Sequence, residues 1–144
     1  MNWKQEAAER LRTYALRKQA LTALPQQIRE AQLYRESIQA TRTDGAAVSG
    51  GTCQQDRLLG SLVYQEELER RLAATEVYVS GIEAALQALT EEERLVLDRF
   101  YIHPQRGNAD KLCEELCVER ASVYRRKDQA LRRFTMALYG WEEV

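Results

Sequence analysis

The chain has 144 residues and a formal net charge of −1, a length that suits one small domain with an extension and leaves little room for a large active-site cavity. It is rich in Ala, Leu, Glu, Gln and Arg and holds only two prolines, a composition that predicts an all-α protein. The near-neutral charge excludes a uniformly basic surface, so any nucleic-acid site must come from local clustering of basic residues.

The sequence also carries expectations about location. No run approaches about 18 consecutive apolar residues, and residues 1–6 lack the apolar core of a signal peptide. We therefore expect a cytoplasmic protein with no membrane partner.

The first part of the chain predicts two helices. Apolar residues recur at helical spacing over residues 3–24 and, more weakly, over residues 28–38. Pro25 lies between these patterns, where its missing N–H is harmless if it stands in the first turn of a helix. The pattern thus favours a second helix that begins near Pro25 and ends near Thr41.

A glycine-rich segment separates these helices from a long third one. Residues 43–52 contain three glycines and little that could pack, so we predict a flexible loop over residues 42–55. Residues 56–89 contain no proline, and their second half carries a heptad stripe. The stripe consists of Leu68, Leu72, Thr75, Val79, Ile82, Leu86 and Leu89.

The long helix would extend for about 50 Å at 1.5 Å per residue and needs a packing partner. Either the two preceding helices of the same chain or a second chain would cover the stripe. The stripe alone does not decide between these two partners. We predict a homodimer through the long helix, since a long helix with a heptad stripe can hold two chains at a fixed spacing.

The C-terminal part predicts three helices. Thr90 followed by Glu93 is a capping box that opens the first of them, and residues 103–108 break it. The second runs from about residue 109 to 116, a tight turn holds Cys117 and Val118, and the third runs from about residue 120 to 138. We therefore predict an antiparallel helical hairpin or coiled coil whose long helix leads into a three-helix helix-turn-helix domain. The first part, residues 1–89, is the coiled-coil or oligomerisation region, and the second, residues 90–144, is the helix-turn-helix domain.

The third of these helices combines an apolar face with an exposed basic one. Its apolar residues would close a small core with the capping-box helix and the second helix. Six basic residues lie on the other face or at its edges, and Asp128 is the single acidic residue among them. One-sided positive charge on the second helix of such a motif is typical of DNA binding. The basic residues are Arg120, Arg125, Arg126, Lys127, Arg132 and Arg133.

The last fifty or so residues resemble region 4 of bacterial sigma factors. The resemblance lies in residues 89–94 (LTEEER), residues 112–120 (LCEELCVER), Val123 and residues 130–133 (ALRR). The whole layout, with residues 122–126 (SVYRR), is similar to that of the phage-encoded late transcription regulators of the ArpU and RinA type, from phages and prophages of Gram-positive bacteria.

The resemblance implies roles for single residues of the recognition helix. Arg120, Ala121, Tyr124 and Arg125 would point to base edges, with Ser122 and Arg126 near phosphates, while Arg132 and Arg133 lie farther along and would approach phosphate only. Two positions depart from the sigma pattern. Cys117 replaces the usual glycine of the turn, which would then be less tight or avoid a positive φ, and Glu119 replaces the usual serine or threonine cap.

Together these features predict a sequence-specific regulator of transcription that binds double-stranded DNA and acts with host RNA polymerase, since no segment resembles the promoter-melting parts of a sigma factor. Two alternatives stay open: a DNA-packaging protein similar to phage small terminases, and a helical scaffold without DNA binding. No P-loop, nucleophile elbow or metalloprotease helix is present, so we expect neither an enzyme nor a cofactor.

Three cysteines raise the question of a zinc site. Cys113 and Cys117 are four residues apart and His103 precedes them, but Cys53 is distant, and a structural zinc site needs four ligands. We therefore expect no metal. Cys113 and Cys117 are expected to be small buried hydrophobic residues, and His103 is expected to be a loop residue.

Overall fold

The computed structural model describes residues 2–43 and 51–140. Over these residues the chain forms five α-helices and one π-helical turn, and no strand. The predicted all-α fold is confirmed. In chain order the elements are α1 (Trp3–Thr43), α2 (Gly51–Gln87), α3 (Glu91–Leu97), the π turn (Asp98–Ile102), α4 (Asn108–Leu116) and α5 (Arg120–Tyr139).

Helix α1 is continuous through Pro25, so the prediction of two helices divided at this proline is wrong. A proline inside a helix removes one backbone hydrogen bond and crowds the preceding turn. Leu24 and Ile28 on either side of it are both buried in one cluster with Leu68, which they can reach together only if the helical register continues. Burial of these side chains offsets the cost of the proline.

The predicted loop over residues 42–55 is too long at both ends. Helix α1 reaches Thr43 and α2 already begins at Gly51, whereas residues 44–50 lie outside the described residues. Near the start of α2 the buried Gln54 amide donates a 3.0 Å hydrogen bond to the carbonyl of Ile38. This contact stabilises a helical turn that the local composition does not predict.

The chain divides into two compact units. Unit 2 comprises residues 18–77, in which α1 and α2 run antiparallel. Arg35 donates a 2.6 Å hydrogen bond to Gln65, and Leu24, Ile28, Ala31 and Leu68 form the unit's buried cluster. The predicted antiparallel helical hairpin is therefore present.

Unit 1 comprises residues 1–17 and 78–144. Its core is formed by the N-terminal part of α1, the C-terminal part of α2 and the C-terminal helices. The Thr13 and Tyr78 hydroxyls lie 3.2 Å apart. The division predicted at residues 89 and 90 stays a prediction, but residues from both sides of it share this core. The cluster contains Ala7, Ala8, Leu11, Ile82, Ala85, Leu89, Leu97, Tyr101, Ala130, Leu131 and Phe134.

The heptad stripe of α2 is buried by α1 of the same chain. In unit 2, Leu68 packs with Leu24 and Ile28, and in unit 1, Ile82 shares a cluster with Ala7 and Leu11. This is the intramolecular alternative that the sequence left open. The stripe therefore no longer argues for a second chain.

Candidate nucleic-acid interface

Helix α3 begins with the predicted capping box. The Thr90 hydroxyl accepts a 3.2 Å hydrogen bond from the Glu93 N–H, and the Glu93 carboxylate accepts one of 3.1 Å from the Thr90 N–H. Two N–H groups that a helix start leaves unpaired are thus satisfied. The prediction is confirmed, and the capping box fixes where α3 begins beside α5.

The segment between α3 and α4 is tied down by Asn108. Its side-chain oxygen accepts a hydrogen bond of 3.0 Å from the Gln105 N–H, and its amide donates one of 2.5 Å to the Arg99 carbonyl. His103 lies in this segment, exposed, with Nδ1 2.9 Å from a carboxylate oxygen of Asp98. These bonds hold the π turn against the start of α4.

The turn between α4 and α5 depends on a left-handed residue. Cys117 has φ 54° and ψ 46°, and its N–H donates to the Cys113 carbonyl. Of the two expectations for this turn, the one that it would avoid a positive φ is wrong, because ending α4 this way pairs a terminal carbonyl. Glu119 then stands at the N-cap of α5, where its side chain makes no capping hydrogen bond to the described residues.

Helix α5 has a buried side and an exposed basic side. Val123, Ala130 and Phe134 are completely buried, and the opposite side, which we call the outer face, is exposed. Arg125 and Arg132 lie at its centre, seven residues or about 10 Å apart along the helix. The exposed residues of the outer face are Ala121, Arg125, Asp128, Gln129 and Arg132.

Two other arginines of α5 are paired with the acidic first turn of α3. Arg126 forms an ion pair with Glu92, and Arg133 donates a 2.8 Å hydrogen bond to Glu93. All four residues line an open groove of about 540 Å³ between the two helices. Arg126 and Arg133 thus lie at the edge of the outer face, with part of their charge already neutralised.

The start of α5 carries a further ion pair. Arg120 lies 3.6 Å from the Asp110 carboxylate of α4, in an exposed contact. A hydrogen bond to Tyr124 is the main cause that raises the pKa of Arg120 above its usual value, with Asp110 contributing. Arg120 therefore remains a cation, and the contacts with Asp110 and Tyr124 orient its side chain on the surface.

The π turn supplies aromatic rings to this end of α5. The Lys127 ammonium lies 4.9 Å from the centre of the Phe100 ring and 5.6 Å from those of Tyr101 and Tyr124. The rings of Phe100 and Tyr124 are 5.9 Å apart. Cation–π contacts of this kind hold a charged amine in place, so Lys127 is less free to move than an ordinary surface lysine.

The predicted site residues thus lie on one helix but not on one face. Ala121, Arg125 and Arg132 share the outer face, Arg120 and Tyr124 lie at the edge beside α4 and the π turn, and Arg126 and Arg133 lie beside α3. Ser122 is half-buried. Sequence reasoning missed the acidic partners Glu92, Glu93 and Asp110, although the capping box pointed to Glu93 as a residue with a structural role.

The prediction that Cys113 and Cys117 are both buried is wrong. Cys113 is half-buried, whereas Cys117 is exposed, because its left-handed conformation places it in the turn. Within residues 2–43 and 51–140 no group of three or more His, Cys, Asp or Glu side chains is arranged to hold a metal ion.

Comparison of the chain with protein-family models, curated proteins and solved structures finds no match. Among the described helices, none combines the length and apolar character needed to cross a membrane.

Proposed function

We propose that the protein is a sequence-specific regulator of transcription that binds double-stranded DNA through the outer face of α5. The observation that carries the proposal is the one-sided charge of this helix. Its exposed side presents Arg125 and Arg132, with further cations at both edges, while the chain as a whole has a net charge of −1. Clustered arginine on the second helix of a helix-turn-helix suits the major groove.

Different residues along α5 would contact bases and phosphates. Arg125 lies in the second turn of α5 and is exposed, where a guanidinium can donate two hydrogen bonds to O6 and N7 of guanine. Arg132 lies about 10 Å farther along and would contact phosphate, as would Arg126, Arg133 and the hydroxyl of Ser122. Phosphate contacts orient the protein, and base contacts provide specificity.

The resemblance of residues 89–133 to sigma region 4 adds the partner to the proposal. A chain with such a domain and no segment resembling the promoter-melting parts of a sigma factor would act with a host RNA polymerase holoenzyme. The wider layout supports a phage or prophage regulator.

A selection experiment tests the proposal. Duplexes that the full chain retains from a random library are sequenced, and the selection is repeated with Arg125→Ala and with Arg29→Ala, which removes an exposed arginine of α1 instead. We expect one enriched site that Arg125→Ala loses and Arg29→Ala keeps.

Other outcomes contradict the proposal in distinguishable ways. Retention of no duplex at any salt concentration would favour the scaffold alternative. A ring-shaped oligomer that enriches a single packaging site from a phage genome would favour the small-terminase alternative. Equal enrichment of the site by Arg125→Ala and Arg29→Ala would show that Arg125 does not contact the DNA bases.

A further inference from the structure

We infer that the outward side of α2 in unit 2 is a self-association surface, on which a second copy of this chain packs antiparallel. The inference is independent of DNA binding, since it uses no residue of α3, α4 or α5. It also differs from the dimer predicted at the heptad stripe, which is buried by α1 within one chain. The surface, called here the α2 back face, consists of Leu59, Leu62, Val63, Glu66, Arg70, Ala73, Ala74 and Val77.

The back face is apolar although it is exposed. Leu59 is 61% exposed, Leu62 41%, Val63 52% and Val77 75%. Its residues recur at steps of three and four, so they follow one side of the helix, turned away from the buried Leu68. A solvated helix face normally carries charges, whereas this one has only Glu66 and Arg70 among its eight residues.

The back-face residues form pairs whose members lie at equal distances in sequence on either side of Leu68. Leu59 and Val77 each stand nine positions from it, and Leu62 and Ala74 each stand six. Val63 and Ala73 are likewise equidistant at five positions, and Glu66 and Arg70 at two. An antiparallel pair of α2 helices with its two-fold axis at residue 68 would therefore bring each of these residues opposite its counterpart.

The opposed residues are complementary in size and charge. Leu62 and Val63 would face the small Ala74 and Ala73, so that large side chains fill the space that small ones leave. Glu66 would face the partner's Arg70, and the two-fold axis repeats this pair. A parallel arrangement in register would instead oppose Glu66 to Glu66 and Arg70 to Arg70, which is unfavourable.

The existing ion pairs leave Arg70 able to take part. Arg70 contacts Glu67 at 3.0 Å, but the Arg70 side chain is 68% exposed and that of Glu67 44%, and such solvent-exposed pairs contribute little to stability. Glu67 also contacts Arg71 at 3.2 Å. Arg70 can therefore turn to the partner's Glu66 while Glu67 keeps a cation beside it.

The size of the surface sets the expected affinity. Residues 59–77 span about 27 Å of helix at 1.5 Å per residue. Two helices in contact over that length bury less than a standard protein interface, so we expect a dimer that dissociates in the micromolar range.

Sedimentation of the full chain with charge exchange tests the surface. We expect a particle of twice 16.6 kDa at concentrations above the dissociation constant. Glu66→Arg or Arg70→Glu alone should raise that constant at least tenfold, and the double exchange should restore it. Glu30→Arg is the matched control on α1 and should change nothing. A monomer at all concentrations up to 1 mM, or a double exchange no better than the single ones, would overturn the inference.

Disulfide trapping tests the direction, in a chain whose three cysteines are replaced by serine. Leu62→Cys combined with Ala74→Cys should form covalent dimers on oxidation, because these positions are opposed. Leu62→Cys alone should not, since its two copies would lie about 18 Å apart along the helices, too far for a disulfide. Rapid trapping of the single variant, or none of the pair, contradicts the antiparallel register. Circular dichroism verifies that each variant is as helical as the parent.

Discussion

The guanidinium of Arg126 forms an ion pair with the carboxylate of Glu92, which joins the proposed recognition helix α5 to the first turn of α3. Seven residues later Arg133 is bound to Glu93 in the same way. Both arginines are predicted to approach phosphates. In the proposed complex a DNA phosphate would compete with a carboxylate of the protein for each of them, so Glu92 and Glu93 should weaken the attraction of α5 for DNA.

Glu92→Gln should strengthen binding to random duplexes. The substitution releases Arg126 from its ion pair, and exposed pairs contribute about 0.2 to 1 kcal/mol, so we expect a gain of about 1.4- to fivefold beyond the loss of one negative charge. Fluorescence anisotropy with a labelled duplex at fixed salt measures this. Glu91→Gln removes an equal charge in the same turn and is the matched control. Equal gains for the two variants would show that the Arg126–Glu92 pair does not restrain DNA binding.

Cys117→Gly should stabilise the protein. A left-handed conformation costs a residue with a Cβ about 1 to 2 kcal/mol, whereas glycine adopts it readily but loses more freedom on folding. We expect a net gain of about 0.5 to 1 kcal/mol in the free energy of unfolding, measured with urea. Cys113→Gly, within α4, should instead lower stability by a similar amount. A loss of stability from Cys117→Gly would mean that its φ of 54° does not strain the chain.

The salt dependence of DNA binding should report the phosphate contacts. If the protein neutralises about four phosphates, log K falls with log salt at a slope of about −3.6. Arg132→Ala should flatten the slope by about one unit. Arg133→Ala should flatten it less, since Glu93 already pairs with that guanidinium at 2.8 Å. A slope near zero for the parent chain would exclude α5 from a phosphate interface.

The parts of the fold that sequence predicts are those with local signals. The capping box of Thr90 and Glu93 needs only residues three apart, and the helices that follow it have strong amphipathic periods. The bounds of α4 and α5 accordingly differ by only a residue or so from those predicted. The exposed position of Arg125 follows from the helical period once Val123 is assigned to the core.

The parts that sequence misses depend on contacts between distant segments. Helix α1 continues through Pro25 because Leu24 and Ile28 pack against Leu68, about forty residues away. The partners of Arg126 and Arg133 lie on another helix, so no spacing rule pairs them with Glu92 and Glu93. Cys117 adopts a left-handed conformation because the end of α4 requires it, although cysteine does not favour that conformation.

The central claim is that α5 reads bases through Arg125, and one comparison tests it most directly. The affinities of Arg125→Ala and of Arg132→Ala are measured on the selected duplex and on a random duplex of equal length, at one salt concentration. Arg125→Ala should cost about 1 to 3 kcal/mol on the selected duplex and little on the random one, because only the specific complex contains the bidentate contact to guanine. Arg132→Ala should weaken both duplexes alike, since phosphates are common to every sequence. If Arg125→Ala weakens the two duplexes equally, α5 is not the recognition helix in this register and the claim is wrong.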